Sequence, residues 1–515
     1  MREPVKNADD ARDAAVRLNE LIQTYGEWFY KESVNAQAIA LRKSECDFRV
    51  SHGRLMFTCW SHAGAEAWRV AGWEWKDEKL LLEAKRRMGA EQSLLELIPR
   101  APASAINEMV GANRRALCER LAHLARGQFG GAKIERLGLS AGAHPGQPGR
   151  YARIMLRLEH QERIAVTAIV TRGEPGEVDA MLSSALVWFT RARETSCAIN
   201  TGRLCFILQS PLIEAARQRL ALLREDLRRS ICLYEIDDAC QQLSPVSCPR
   251  LDELWNEKPP RLPVLTEKPL SEWANRLIAH APEAIDVLRA RHGETLRFNG
   301  LPFARVRRVM NREQVWFGAA GTLARRMLDQ SAWPDLTGLI DELKEHRRAE
   351  ATDYRHALYR ASPEAWLESI LRRDITRLDP GLIIAPLHAQ FRTSRAGPHA
   401  ASRPVDLLAL RRDGRLAVIE LKVSEDREHV LQGADYWRRV EAHRRRGQLT
   451  RARLFGDAPI ADAPPLVYLV APLLRFHRAF RTLAGLINPQ VELYSFAINE
   501  DWRAGVRVMR RERVN

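Results

Sequence analysis

Two acids and an amine stand in a spacing that suits phosphodiester chemistry. Asp406 opens the apolar run 405–410, and Glu420 and Lys422 close the run 416–423. Between the runs lie Arg411, Arg412, Asp413, Gly414 and Arg415, whose Asp-Gly pair is a strong hairpin signal. The two strands are expected to pair antiparallel, bringing Asp406 beside Glu420 and Lys422. Glu420 and Lys422 share a strand face because side chains alternate. Leu421 points into the core, and its backbone carbonyl can reach a metal. Gln432 and Tyr436 follow at i and i+4, so they share one helix face.

Mg2+ (or Mn2+) takes oxygen ligands, usually one or two carboxylates completed by water and phosphate. Asp406 and Glu420 supply the carboxylates and Leu421 a carbonyl. A bound metal lowers the pKa of its water and offsets charge on the phosphate. Lys422 is a compact positive charge beside the point of attack, able to orient water or stabilise the transition state. Gln432 and Tyr436 can bond to phosphate or to a water ligand. Glu368 lies in a helix beginning near Ser362, Pro363 and Glu364, a Ser cap followed by Pro in the first turn. Its carboxylate completes the expected set, with Glu364, one turn earlier, as second choice. Taken singly, each of these residues has an ordinary structural reading. Their joint order, on the right kinds of element, points to function.

The same residues resemble the PD-(D/E)XK nuclease superfamily, in its RecB-like and NucS-like branches. The motifs are residues 363–368, 404–408, 414–422 and 432–436, under a third of the chain. The resemblance implies a restriction-endonuclease-like mixed sheet flanked by helices. It also implies Mg2+-dependent endonuclease hydrolysis of DNA. On that pattern Asp406 and Glu420 bind metal and Lys422 is catalytic. Gln432 and Tyr436 assist at the phosphate, and Glu368 is the helix acid. Pro404 and Asp406 are separated by Val405, a departure within the family's loose spacing.

The 515 residues exceed one ordinary core, so several domains are expected. Apolar and charged fractions of 45% and 28% are those of globular protein. A net charge of +15, much of it from Arg, fits a polyanionic partner such as DNA, although Arg-rich composition also follows from a GC-rich genome. The eight Cys show no C-x-x-C spacing, which argues against structural zinc and for scattered reduced thiols in the cytoplasm. Residues 1–12 lack an apolar signal core. No apolar run reaches the ~18 residues of a membrane span, and the longest candidate, 465–474, reads as a buried strand.

The chain reads as a multidomain α/β (α+β) protein. A β-rich N-terminal domain is expected over 1–102 and a degenerate nuclease-like domain over 103–248. A Pro-rich linker follows over 249–271, then a small α+β domain over 272–350 and the nuclease-like domain over 351–515. Residues 9–25 have helical spacing and 38–83 read as strands. Trp73 and Trp75 share a strand face and read as core before base-stacking platform. Residues 271–292 and 321–360 look helical. Residues 295–317 look like strands turning at Asn299 and Gly300, with Arg305 and Arg307 on one face and Arg308 on the other, placed to touch phosphate or on a solvated edge strand.

An internal repeat underlies this division. Residues 163–166, 181–188, 204–212 and 232–236 resemble 415–418, 430–437, 466–474 and 492–496, and 117–119 resemble 366–368. Opposite Asp406, Glu420 and Lys422 the first copy carries Ile154, Ala168 and Val170; opposite Gln432 and Tyr436 it carries Ser183 and Val187. Apolar side chains cannot hold a hard cation, so the first copy is expected to be dead. It could form an intramolecular pseudo-dimer with the live one. Around the site Arg438, Arg439, Arg444, Arg445 and Arg446 follow Tyr436, and Arg392, Arg395 and Arg403 flank a Gly/Ser/Pro-containing loop. Arg392, Arg403 and Arg439 are the candidate nucleic-acid contacts. The rival expectation is a non-catalytic nucleic-acid-binding or scaffold protein that kept the fold and its acids.

Overall fold

The structure is a computed structural model. It describes residues 3–25, 27–32, 39–61, 64–76, 79–86, 92–99, 103–142, 147–158, 162–171, 177–195, 201–237, 239–256, 259–262, 264, 269–290, 293–309, 312–319, 326–391 and 404–515. Among the described residues the architecture is mixed α/β with four sheets. The chain forms two compact units, Met1–Asn113 with Ala141–Pro148, and Arg114–Ser140 with Gly149–Asn515. No described helix is long and apolar enough to cross a membrane.

The first unit is an antiparallel sheet with the helix Ala8–Thr24 packed on it. Asn7 caps that helix, accepting from the backbone N–H groups of Asp9 and Asp10. Trp73 is buried, and Trp75 lies against Tyr25 and Trp28, with ring centroids 6.2 Å from each. Both rings belong to this unit's core.

In the second unit, two six-stranded sheets share one connectivity. The first runs β1 (Lys133–Ala141), β2 (Pro148–Arg157), β3 (Arg163–Ile169), β4 (Thr201–Gln209), β5 (Ile231–Ile236) and β6 (Leu243–Val246), in sequential order. The second runs β7 (His388–Phe391), β8 (Val405–Leu410), β9 (Leu416–Leu421), β10 (Leu466–Pro472), β11 (Leu493–Ile498) and β12 (Val508–Arg513), again sequential. In each sheet the second and third strands pair antiparallel, and the third, fourth and fifth run parallel. The sixth returns antiparallel in both. Each third strand leads into a long crossover helix, α1 (Glu177–Thr195) in the first and α4 (His429–Arg445) in the second. The central strands are buried on both faces, which is why they read as unbroken apolar runs.

The two sheets share one core. Met181, Leu182 and Ala185 of α1 and Val430, Leu431, Ala434 and Trp437 of α4 lie in a single apolar cluster. The loops after the two β4-type strands meet as an antiparallel bridge, Leu223 to Ile487. It is flanked by Arg224 N–H to Leu486 O (2.9 Å) and Asn488 N–H to Leu222 O (2.8 Å). Arg219, in the helix α2 (Ser210–Leu220), bonds to Asp179 of its own half at 2.9 Å and Asp435 of the other at 3.1 Å.

Four expectations change. The segment 271–292 is not one helix: the helix Glu272–Ile278 stops, and Ile285–Ala290 is a strand paired with Gly293–Phe298. The strand Leu301–Val309, carrying Arg305, Arg307 and Arg308, is central in its sheet rather than an edge. It turns from Gly293–Phe298 through Asn299 and Gly300, both at positive φ. Part of the 249–271 segment is packed rather than free: the Trp255 ring meets Trp437 edge-on at 5.9 Å. Finally, the β2–β3 register pairs Ala152 with Ala168. The β8–β9 register pairs Leu407 with Ile419, so its next step sets Asp406 opposite Glu420. The counterpart of Asp406 is therefore Ala152, not Ile154, and it too is apolar and buried.

Candidate active site

The hairpin β8–β9 places the acids. Its turn closes with Arg411 N–H to Arg415 O at 2.8 Å, and Gly414 takes a φ of +80° that a side chain would strain. Asp406 Oδ2 accepts from Leu421 N–H at 2.9 Å, fixing its carboxylate over the end of β9. Lys422 Nζ donates to Glu420 Oε1 at 2.7 Å and lies 3.6 Å from Asp426. Lys422 N–H continues the parallel ladder to Val470 O at 2.9 Å. Glu420 is 1% exposed and Lys422 8%.

Helix α4 packs closely on β10 because position 433 is Gly. A Cβ there would meet Leu469 Cδ2 at 2.6 Å and Val467 Cγ1 at 3.0 Å. The helix buries Gln432 and Tyr436 on its inner face. Gln432 Nε2 donates to Glu428 at 3.1 Å, which leaves Gln432 Oε1 buried with no hydrogen-bond partner. The Tyr436 hydroxyl is pushed up in pKa by burial and then by the charges of Glu420 and Asp406.

The electrostatics are those of two like charges out of water. Burial raises Asp406 well above the carboxylate range, and the Glu420 charge raises it further. Burial also raises Glu420, against the lowering effect of Lys422. Burial lowers the Lys422 pKa, but Glu420, Glu364 and Asp426 outweigh it and hold the ammonium charged.

Structure and expectation part at three places. Glu368 is engaged elsewhere: it is buried against Arg297 of the strand Gly293–Phe298, 3.0 Å away, and accepts from Gln390 at 2.8 Å. Arg297 also bonds to Asp286, which holds Arg372 as well, so Glu368 belongs to an ion-pair network. The helix acid whose charge reaches Glu420 and Lys422 is Glu364, in α3 (Pro363–Arg373). Arg439 is not a surface phosphate contact: it pairs with buried Asp435 at 3.1 Å and lies 4.5 Å over the Tyr436 ring. Arg438, Arg444 and Arg445 are likewise paired, with Asp435 or Glu441, and Arg446 bonds to Trp255 O. Arg392, Arg395 and Arg403 lie outside the described residues.

His429 was not legible as a site residue. It sits on the first turn of α4 with Nε2 3.2 Å from Glu420 O, a contact that requires its proton on Nε2. Burial, then the Lys422 charge, lowers its pKa to about 3, so it is neutral. The only sequence cue was its place ahead of the Gln432–Tyr436 face.

The donor set fits a hard divalent cation. Glu420 Oε2 is buried without a hydrogen-bond partner, as is Gln432 Oε1. Buried unsatisfied acceptors are costly, and oxygen atoms are what Mg2+ takes. Among the described residues no group of three or more His, Cys, Asp or Glu forms a complete metal cage. The fit is therefore the two-carboxylate kind, completed by water and substrate phosphate.

No protein-family model matches the chain, and no curated protein matches it. Among solved structures it is similar to EndoMS in apo form, with TM-score 0.15 and 9% identity, covering 46% of this chain and 97% of that one. An EndoMS–dsDNA complex gives TM-score 0.16 and 12% identity, covering 41% and 89%. Pelota of Archaeoglobus fulgidus gives TM-score 0.11 and 12% identity, covering 46% and 57%. Likeness at these scores carries no argument about fold or activity.

Proposed function

We propose that the second sheet carries a metal-dependent nuclease site of the PD-(D/E)XK kind, on a restriction-endonuclease-like arrangement, and that it hydrolyses phosphodiester bonds of DNA. The observation that supports this most is the half-buried Asp406 beside the buried Glu420, with Lys422 2.7 Å from Glu420. Burying acids side by side is expensive, and the twin sheet manages the same strand pairing with Ala152, Ala168 and Val170. Asp406, Glu420 and the Leu421 carbonyl would hold Mg2+ or Mn2+. The ion, when bound, polarises the phosphoryl oxygen and lowers the pKa of a coordinated water.

The chain's own groups do the rest. Lys422, held charged by Glu420, places a positive charge where negative charge develops on the phosphate. Gln432 and Tyr436 position phosphate oxygens from the helix above. Glu364 takes the helix-acid role expected of Glu368 and orients water near Lys422. The first sheet is then a non-cutting partner, and the shared core, the Leu223–Ile487 bridge and the Arg219–Asp435 ion pair support reading the two halves as an intramolecular pseudo-dimer.

The test is cleavage of single-stranded, flapped and duplex DNA with Mg2+ or Mn2+. Lys422→Ala and Glu420→Ala are each expected to cut at least about 10³-fold more slowly, on the scale of losing a transition-state charge contact, while binding the same DNA. Equal cutting by wild type and both variants would sink the site. Binding without cleavage by wild type would favour the scaffold reading.

A further inference from the structure

Arg503 is a cation that aromatic rings hold and no acid answers. It lies in the single turn Trp502–Ala504, past the end of β11, and is half-buried. Its guanidinium sits 4.6 Å from the Tyr359 ring, 5.0 Å from Trp366 and 4.4 Å from Trp502. Ring contacts of this kind fix a guanidinium without using its hydrogen-bond donors. Its Nε is buried with no hydrogen-bond partner, and among the described residues no ion pair or hydrogen bond joins Arg503 to another group. Burial lowers its pKa. Other ring-stacked arginines of this unit are answered. Arg511, over Phe496, lies 3.5 Å from Asp379, Arg445, over Trp255, pairs with Glu441, and Arg347, also over Trp366, has backbone carbonyls. The acid nearest in sequence, Asp501, is engaged by Asn499 at 2.7 Å.

An exposed ring stands beside this cage. Tyr354 is 61% exposed, and its ring meets Tyr359 edge-on at 5.2 Å. Tyr359 meets Trp366 edge-on at 5.4 Å, so the surface ring is braced on buried aromatics. Asp353 accepts from the Arg355 backbone N–H at 2.9 Å. The cage also lies at the edge of the sheet where β9 ends. β9, β10 and β11 run parallel, with Leu421 opposite Val470 and Val470 opposite Phe496. Lys422 and the turn at Trp502 therefore both stand past the C-terminal ends of these strands, where open α/β sheets bind ligands. β9 and β11 are two strands apart, about 10 Å. Trp366, Trp502 and Leu421 share one apolar cluster, and Tyr359 packs against it.

We propose that Arg503 and Tyr354 form a platform for unpaired nucleotides of the strand cut at Glu420 and Lys422: the guanidinium takes a backbone phosphate, and the Tyr354 ring stacks on a base. This rests on the nuclease reading for the identity of the strand. A planar guanidinium meets phosphate bidentately, and the rings behind it hold it in place for that contact. A phosphate also answers the charge that no carboxylate answers. A tyrosine face stacks on any base, but only an unpaired base offers its face. The platform therefore favours single-stranded over duplex DNA and reads no sequence.

The test uses the full chain and two fluorescein-labelled probes, an oligothymidine 30-mer and a duplex of the same length. Anisotropy is read in EDTA across a salt series, and cutting is measured on the same samples with Mg2+ or Mn2+. Tyr354→Ala is expected to weaken binding of the single strand about tenfold, the scale of one lost stack, and binding of the duplex far less. Tyr354→Phe keeps the ring and should bind as wild type does. Arg503→Gln should lower the single-strand slope of log K against log salt by about 0.7, the share of one phosphate contact. Tyr354 is exposed, so its variant decides the matter if Arg503→Gln fails to fold. Unchanged single-strand affinity in Tyr354→Ala overturns the platform, and does so without touching the nuclease reading if wild type cuts. Equal losses on single strand and duplex overturn it as well. Weakened single-strand binding in the variants with no cutting by wild type keeps the platform and overturns the nuclease reading. Wild type that binds neither probe overturns the platform.

Discussion

The two six-stranded sheets follow one path through space and differ in what they bury. At the matched hairpin the first holds Ala152, Ala168 and Val170, and the second Asp406, Glu420 and Lys422. Along the crossover helices Ala180, Ser183, Leu186 and Val187 stand where the second copy has His429, Gln432, Asp435 and Tyr436. The strand pairing, the crossover and the shared core exist in both. Polar burial is therefore not a requirement of the architecture, and in the second sheet it is borne against a desolvation cost. The comparison separates residues that make the fold from residues that use it.

The largest expected effect of breaking this contrast is on stability. Asp435 is buried among Arg219, Arg438 and Arg439, which hold its pKa below the carboxylate range although burial alone would raise it. Asp435→Ala removes the buried acid that Arg219, Arg438 and Arg439 share, at a cost of roughly 3 to 5 kcal/mol. Chemical denaturation measures it. The matched substitution Leu186→Ala removes only apolar contact, so it should cost less and leave no dependence on salt.

A smaller effect follows pH. Unfolded His429 takes its proton near 6.5, and folded His429 only near 3. Its contribution is fully present above pH 6.5 and is lost as pH falls from there towards 3, because only the unfolded chain binds the proton. His429→Gln should flatten the fall in urea midpoint between pH 7.5 and 5. Equal slopes in wild type and variant would show that the imidazole titrates normally. The first sheet has Ala180 at this place and no such sensitivity.

The smallest effect compares Gln432 with Ser183. Ser183 Oγ is fully buried with no hydrogen-bond partner, so Ser183→Ala should leave stability unchanged or slightly raised and cleavage unchanged. Gln432→Ala should lower cleavage by about 10- to 100-fold, the range of one or two hydrogen bonds to a charged group. A loss of cutting in the Ser183 variant equal to that in the Gln432 variant would erase the distinction between the sheets.

Much of the second sheet was legible. The apolar runs at 405–410 and 416–421, the Asp-Gly turn and the i, i+4 spacing of Gln432 and Tyr436 are local patterns, and local patterns specify hairpins and helix faces. The repeat was legible because both sheets need the same order of buried runs. Long-range partners were not. Glu368 looked like the better helix acid because nothing near it in sequence announces Arg297, 71 positions earlier. Arg439 looked solvent-facing because charge on a helix usually is, and the buried Asp435 that takes it up is visible only once α2 packs on α4. The exchange of Ile154 for Ala152 opposite Asp406 is a two-residue slip that strand register resolves and sequence similarity does not.

The central claim is that one of two matched sheets holds a divalent cation at Asp406 and Glu420. Titration of the full chain with Mn2+, followed by electron paramagnetic resonance, tests it without needing a substrate. A saturable site is expected in wild type and in Ser183→Ala, tightening as pH rises because Asp406 must shed a proton held above its ordinary range. That site should be absent from Glu420→Gln. Equal Mn2+ binding by wild type and Glu420→Gln, or no saturable binding by wild type, would contradict the account.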